Sequence, residues 1–439
     1  MFTNPATCRG WKRVYNGFKP ALERAGCPIV SSYDDDDEEE DGGDIIEEDE
    51  TEEDELLPHI YWLFIDPRTG MNAVLEQTVE FGETAIPPTI GNVPAVEGIC
   101  PALTFTGWNH TPAELMNVQQ DLVIGAEYMP TDGKTHLFVS VRPTTGTNPT
   151  DALTQVLNIT VSGAGASIEW GDGLTDNVTS SNAYSHTYAS YGEYEVKITA
   201  NGINNVGLGR NSTTTTTWGG SVSQKRASII GMYVGANTYV AGYTAYNNDS
   251  IRTIVFPYNP SNVLNSNTIY GQSSLNILSL PRGSLTASFA QCTSLNYVSI
   301  PNTVTSVLVM TNCYMLKRLV FPLSVTSFTA GLSNTYSIKE IAFHEGFVNF
   351  SPSSGNMFSL ANLVFPTTIT TINSLSISSA MNLRSIVVKA TSPPTLGSSN
   401  VPVNPITCIY VPDASLTAYK TATNWSALAD YIYPISDVM

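Results

Sequence analysis

The 439-residue sequence is poor in the residues from which most active centres are built. Its 5 histidines are dispersed at His59, His110, His136, His186 and His344, and its 6 cysteines show no C-x-x-C spacing. That scatter argues against a zinc site, and neither metal nor cofactor is expected. Gly163-Ala164-Gly165 lacks the remaining glycine of a dinucleotide fingerprint and reads as a hairpin. The body contains no evident carboxylate pair, so no catalytic residue is assigned and enzymatic activity is not expected. No 18 apolar residues run together, which excludes a helical membrane span. Lysine and arginine total 20 and form no broad basic face for nucleic acid. Within residues 1–30, Trp11, Lys12, Arg13, Lys19 and Arg24 interrupt any apolar core, so an export signal is not expected either.

The net charge of −19 is mostly local. Residues 34–55 hold 17 of the 39 acids and no base, leaving 22 acids against 20 bases elsewhere. Like charges this dense repel and extend, so residues 34–58 read as a solvated spacer. A calcium site is the sharper alternative, but the run has no glycine-centred loop with alternating ligands. Ahead of it, residues 1–33 carry five bases against one acid, interleaved with apolar groups. Trp11, Arg13, Tyr15 and Phe18 are the candidates for docking this arm onto an assembly, the alternative being a frayed terminus.

The most informative part of the chain is a phrase that recurs between about 250 and 389. Its copies include Leu275-Asn-Ile-Leu278-Ser-Leu280-Pro281, Leu295-Asn-Tyr-Val298-Ser-Ile300-Pro301 and Leu316-Lys-Arg-Leu319-Val-Phe321-Pro322. The seven copies close at 257, 281, 301, 322, 344, 366 and 389, in steps of 20 to 24 residues. That period predicts a leucine-rich solenoid. One copy cannot enclose its own apolar face, so neighbours must stack. A fourth inward group is expected six residues before each copy, at Ala245, Ile269, Phe289, Met310, Leu332 and Ile377, with Ser354 as an exception. About four inward groups per layer follow. Proline ends each strand because it has no amide to donate. Cys292 and Cys313 fall in one column on adjacent layers, where either a bridge or two buried thiols would fit.

These copies resemble BspA-like leucine-rich repeats, a resemblance that implies surface adhesion, and the tail from Pro393 to Ile435 is similar to the ends of such proteins from gut bacteria and their phages. Within residues 59–130, the order V-x-F, P-P, F-x-G-W-N and V-x-x-x-Y, centred on Gly107-Trp108, resembles the Listeria-Bacteroides repeat and implies a small β-grasp-like sheet. Strands are expected at Ile60–Ile65, Thr78–Phe81, Leu103–Trp108 and Asp121–Tyr128. Residues 131–202 contain Trp170-Gly171-Asp172-Gly173, then His186-Thr187-Tyr188, then Gly192-Glu193-Tyr194. This order resembles a polycystic-kidney-disease (PKD) domain, which implies an immunoglobulin-like sandwich in which Trp170 anchors the core and Asp172 and His186 serve structure rather than catalysis.

The expected architecture is thus mainly β. An arm (1–33), a spacer (34–58), a small sheet (59–130), a sandwich (131–202) and a linker (203–226) precede a solenoid (227–412), whose first rung spans 227–246, and a C-terminal cap (413–439). A last strand is placed at Cys408–Val411. Asp413 is expected to start a helix to about Ala422, with Leu416, Tyr419 and Trp425 turned inward. Functionally, the reading is a bacteriophage virion protein, a fibre or decoration carrying adhesive modules to the host surface. A bacterial cell-surface adhesin is the alternative, and an intracellular scaffold is a third. Expected partners are other virion proteins through the arm, a glycan or protein of the host surface, and further copies of the chain. Tyr233, Tyr239, Tyr243, Tyr258, Tyr270, Tyr297 and Tyr314 are candidates for stacking on sugar rings.

Overall fold

The apolar run Ile60-Tyr-Trp-Leu-Phe-Ile65 is too continuous for a strand with one wet face, and its surroundings explain why. A computed structural model describes residues 57–142, 154–180, 182–202, 206–208, 227–240, 250–257, 269–283, 286–329, 331–352, 356–373, 380–397 and 407–437. The arm and the acidic run lie outside the described residues. Strands β1 (His59–Ile65), β2 (Asn72–Thr78), β3 (Leu103–Trp108) and β4 (Leu122–Pro130) form a sheet ordered β2-β1-β4-β3, with β1 and β4 parallel at its centre. Ile60, Trp62 and Ile124 face the domain's own core, with Leu115 and Val118. On the opposite face, Tyr61, Leu63 and Val123 meet Ile277 of the solenoid. Central strands buried on both sides read as unbroken apolar runs.

The second strand of this sheet differs from the expected Thr78–Phe81. Gly70, at φ 67°, closes the preceding turn through its amide to Asp66 O (2.8 Å). That turn sets a register pairing His59 with Thr78 and Ile65 with Asn72, so the chain leaves the sheet where the expectation began.

Two sheets follow. One begins with β5 (Thr135–Val141), β7 (Ala166–Glu169), β8 (Thr175–Val178), β10 (Gly192–Ala200) and β12 (Ala227–Tyr233). The other holds β6 (Thr154–Val161), β9 (Asn182–Thr187), β11 (Val206–Leu208) and β13 (Thr238–Val240). Gly163 and Gly165 therefore carry the chain between two sheets rather than around a hairpin. Gly165 sits at φ 84° against Val178 O, leaving no room for a β-carbon. Residues 206–208, in the expected linker, are a sandwich strand paired with β6. β12, in the expected first rung, belongs to both bodies: it pairs antiparallel with β5 and parallel with β14 (Thr253–Val255), where Met232 meets Ile254 at the step of the repeats.

From β14 onward the strands stack in parallel on two sides. One column runs through Ile277–Ser279, Tyr297–Ser299, Arg318–Val320, Glu340–Ala342, Asn362–Phe365 and Ser385–Val388. The other runs through Ile269–Tyr270, Thr286–Ala290 and Ser306–Val309, then Ser327–Phe328, Asn349–Phe350, Thr371–Ile372 and Thr395–Leu396. Pairs such as Leu278 with Val298 and Leu363 with Ile386 reproduce the sequence period. Ile269, Phe289, Met310 and Leu332 are all buried. Ala245, Ser354 and Ile377 lie outside the described residues. Four of the layers also bury two further groups, three and six residues after the closing position: Val304 and Val307, Val325 and Phe328, Phe347 and Phe350, Ile369 and Ile372. The expected four inward groups become about six because the second sheet has its own inner face. Cys292 and Cys313 are free buried thiols, with Cys313 Sγ 3.4 Å from Phe289 O.

At the far end, α1 (Leu416–Thr421) follows a 3-10 turn at Asp413–Ser415. Tyr419 and Trp425 are fully buried and Leu416 is half-buried. The strand Ile432–Pro434 then pairs with Cys408–Val411, so the cap itself adds a layer beyond the expected last strand. Among the described residues no helix is long and apolar enough to cross a membrane.

Asparagines bind the layers at one corner. Asn334 Nδ2 donates to Asn312 Oδ1 and Asn356 Nδ2 to Asn334 Oδ1, each at 2.7 Å, while Asn312 and Asn334 hold φ of 60° and 57°. We expect Asn334→Ala to cost about 2 kcal/mol, from the broken ladder and a left-handed alanine. This would be read as a lower denaturation midpoint, and Asn334→Gly, which tolerates the backbone angle, should recover part of the loss.

Candidate functional site

The strand face of the solenoid, the natural place for a ligand, is partly occupied by the molecule itself. The small sheet lies across its first layers. Gly125 on β4 makes the approach: a β-carbon there would stand 2.5 Å from Ser279 Cβ and 3.2 Å from Ser299 Cβ. Asn109, fully buried, donates to Leu280 O and Ser299 Oγ (both 2.8 Å) and accepts from Gly125 N (2.8 Å). Ser299 Oγ in turn donates to Val123 O at 2.7 Å. Arg318 bridges Asp121 and Glu340, with its guanidinium 4.8 Å from the centre of the Tyr61 ring. Glu127, 1 % exposed, accepts from Arg282 N at 2.6 Å.

Where this sheet ends, a cleft of about 430 Å³ opens between its 112–120 segment and the solenoid. One wall carries Met116, Asn117, Gln119 and Gln120. The other is built by successive layers, with Val298, Val320 and Val364 on the strands and Asn302, Leu323, Phe343, Glu345 and Lys389 just beyond their ends. His110 at the inner end is buried, and its Nδ1 donates to Asn109 Oδ1 (2.9 Å). Burial lowers its pKa to about 4, with Glu114 opposing and Arg282 assisting, so it is neutral near pH 7. His344, which replaces the strand-end proline of its layer, faces Glu345 O (2.9 Å) and Val325 O (3.0 Å). Its ring thus ties one layer to the preceding one.

The W-G-D-G segment forms a packed structural cluster in the sandwich. Trp170 is fully buried, its indole donates to Asp176 Oδ2 (2.9 Å), and its carbonyl accepts from Tyr188 OH (3.1 Å). Asp172 accepts from Leu174 N (3.1 Å) and pairs with His186 Nε2 (2.7 Å), whose ring stacks on Trp170 at 4.7 Å. Tyr188 stacks on Tyr194 at 4.1 Å. Gly171, at φ 87°, passes Glu195 O where a β-carbon would stand at 2.6 Å, while Gly173, at φ 92°, faces open space. Gly192 begins β10.

The candidate tyrosines scatter. Tyr233 is buried against the small sheet domain, packed with Cys100 and Tyr128, and donates to Ile99 O at 2.7 Å. Tyr297 lies under the small sheet against Tyr61, ring centres 5.6 Å apart, and Tyr270 is half-buried and bonded to Gln291. These three are therefore no open stacking platform. Tyr243, Tyr258 and the side chain of Tyr239 lie outside the described residues, as do Trp11, Arg13, Tyr15 and Phe18. Tyr314 is exposed, but it stacks on Tyr336 (5.1 Å, 16°), which stacks on Phe358 (5.2 Å, 9°). A column whose faces are spent on one another offers a ligand mainly edges. That column, like the 112–120 wall of the cleft, was missed by sequence reasoning. Its signal is an aromatic two residues before Leu316, Ile338 and Leu360.

Residues 233–330 and 286–393 match the BspA type leucine rich repeat region, in six copies. The chain carries BspA-type leucine-rich repeats. Among solved structures, it is similar to a leucine-rich repeat protein from Bacteroides ovatus ATCC 8483, at 14% identity and a TM-score of 0.32. That alignment covers 52% of this chain and 61% of the other. No curated protein matches the chain.

Two measurements probe the docked sheet. Gly125→Val should lift it off, raising amide exchange in strands Ile277–Ser279 and Tyr297–Ser299 while the distal layers stay protected. Glu127 gives the pH dependence. Burial raises its pKa to about 7 although Arg282 pulls it down, so the folded chain keeps a proton that an ordinary carboxyl near 4.5 has lost. The stabilisation is complete below about pH 4.5 and fades as pH rises toward about 7. A denaturation midpoint that falls between about pH 5 and pH 8, and a flatter profile in Glu127→Gln, are the expected outcomes.

Proposed function

We propose that this protein is a non-enzymatic attachment protein, and that its carrier is a bacteriophage particle. The observation that carries the attachment reading is the stack of BspA-type repeats, which are typical of surface-exposed, adhesin-like proteins. A stiff body with an open cleft across several layers suits display. In this reading the sandwich is a PKD-type module and the small sheet a Listeria-Bacteroides-type module, both serving as supports. The basic, aromatic arm with Trp11, Arg13, Tyr15 and Phe18 fastens the protein to other virion proteins, and the acidic run holds the body away from the particle surface. Attachment to a bacterial cell surface is the alternative, and the same repeats favour it.

The tests separate carrier from activity. Labelled protein spanning 57–439 is expected to bind host cells saturably. A solenoid fragment beginning at 227 is unsuitable, because it would strip β12 of β5. Absence of binding across a panel of envelope fractions removes the attachment reading. Deletion of residues 1–33 is expected to abolish incorporation into particles. Normal incorporation, or recovery of the protein from the bacterial envelope without phage, removes the virion reading.

A further inference from the structure

We infer that the cleft between the 112–120 segment and the solenoid is a saccharide-binding site, taking a short, largely uncharged oligosaccharide lengthwise across the layers. The inference rests on the attachment reading and names its ligand class.

Three observations lead there. The first is extent. Asn302, Leu323, Glu345 and Lys389 line the cleft from four layers of the stack, and with strands about 4.8 Å apart the wall runs on the order of 15–20 Å. That length and a volume of about 430 Å³ suit a slender chain of a few rings better than a compact metabolite.

The second is chemistry. The polar lining is led by four carboxamides, at Asn117, Gln119, Gln120 and Asn302, with two acids, Glu114 and Glu345, one base, Lys389, and the imidazoles of His110 and His344. A carboxamide both donates and accepts, as does a sugar hydroxyl. Some of these groups are already held in place. Asn302 Oδ1 accepts from Leu323 N (2.8 Å) and Glu345 accepts from Thr367 N (3.1 Å), which limits the entropy lost on binding. Between the polar groups, Met116, Leu323 and Val364 are 62 %, 58 % and 43 % exposed. Apolar side chains that open in a carboxamide-lined cleft match the alternating hydroxyl and C–H faces of a sugar ring.

The third concerns the floor, which decides between a saccharide and a peptide. The cleft lies on a face of stacked parallel strands, not along a sheet edge, with Arg318–Val320 paired to Glu340–Ala342 and Asn362–Phe365 to Ser385–Val388. A peptide that adds as a strand needs a free sheet edge with unpaired amides, and the face offers none. Recognition must come from side chains, where hydroxyl-rich ligands are served best.

The experiment uses the full chain on immobilised neutral oligosaccharides of three to six sugars, chitotetraose and mannotetraose among them, beside an array of extended peptides. Retained glycans are titrated by calorimetry. Leu323→Arg fills the cleft from an exposed position, and Gln119→Ala removes one carboxamide without touching the core. Each is expected to weaken glycan binding by about tenfold or more, while Tyr314→Ala, at the other end of the strands, leaves it unchanged. No glycan retained, binding indifferent to Leu323→Arg, or retention of peptides alone overturns the assignment. Host-cell binding that survives Leu323→Arg overturns the cleft while leaving the attachment reading intact; full-length protein that binds no cells removes the attachment reading itself.

Discussion

A solenoid built from layers that cannot cover their own apolar sides has two open ends, and the fold is governed by how they are closed. At the C-terminal end, Tyr419 and Trp425 lie over the last layers, and the chain adds the strand Ile432–Pro434 before stopping. At the other end the sandwich takes the place of a cap. Its edge strand β12 hands the sheet directly to β14, and one apolar core runs from Leu137 of the sandwich to Ile432. Sandwich and repeats are therefore one packing unit, although their sequences read as separate modules.

The small sheet is held differently. One of its cores is its own, a second joins Ile65, Leu103 and Tyr128 to Phe138 and Tyr233 of the sandwich and to Val255, and it meets the later layers of the solenoid through a thin apolar contact around Tyr61, Val123 and Ile277, bordered by buried polar groups. Asn109, Ser299, Glu127 and Arg318 are each matched across the boundary, as buried polar groups must be. Such an interface fixes position more than it contributes energy, since buried ion pairs largely repay their own desolvation. The cleft owes its shape to that fixed position, because one of its walls belongs to each side.

How much of this was legible in the sequence depends on the range of the interaction. The repeats announce themselves because each layer restates the same local pattern, and the strand column follows it residue by residue. The Pro-x-x-apolar-x-x-apolar phrase of the second sheet, as in Pro322-Leu-Ser-Val325-Thr-Ser-Phe328, was there to be read but is masked by the stronger leucine phrase. The second partner of β12, strand β5, is not legible, because an apolar strand does not state its partners. The docking contacts were invisible: Asn109 meets Ser299 at a separation of 190 residues and Asp121 meets Arg318 at 197. The burial of Tyr233 and Tyr297 was hidden for a related reason, since an aromatic that fits a sugar fits a core equally well. The cleft, made by two distant segments, shares that fate.

The asparagine corner, the strand-end prolines and the Phe321–Phe343–Phe365 stack repeat with the layers, yet the layers are not equivalent. Those from Ile277 to Glu340 are clamped by the small sheet, and those beyond Ser385 are shaped to the closing helix. Copies gained or lost among the clamped layers would slide Arg318 and Ser299 out of register with their partners, whereas a copy gained after Val364 would lengthen the spine and leave those contacts in place. The spine can therefore change its reach at one short stretch without breaking the clamp, and such a change would carry Lys389 away from the rest of the cleft wall.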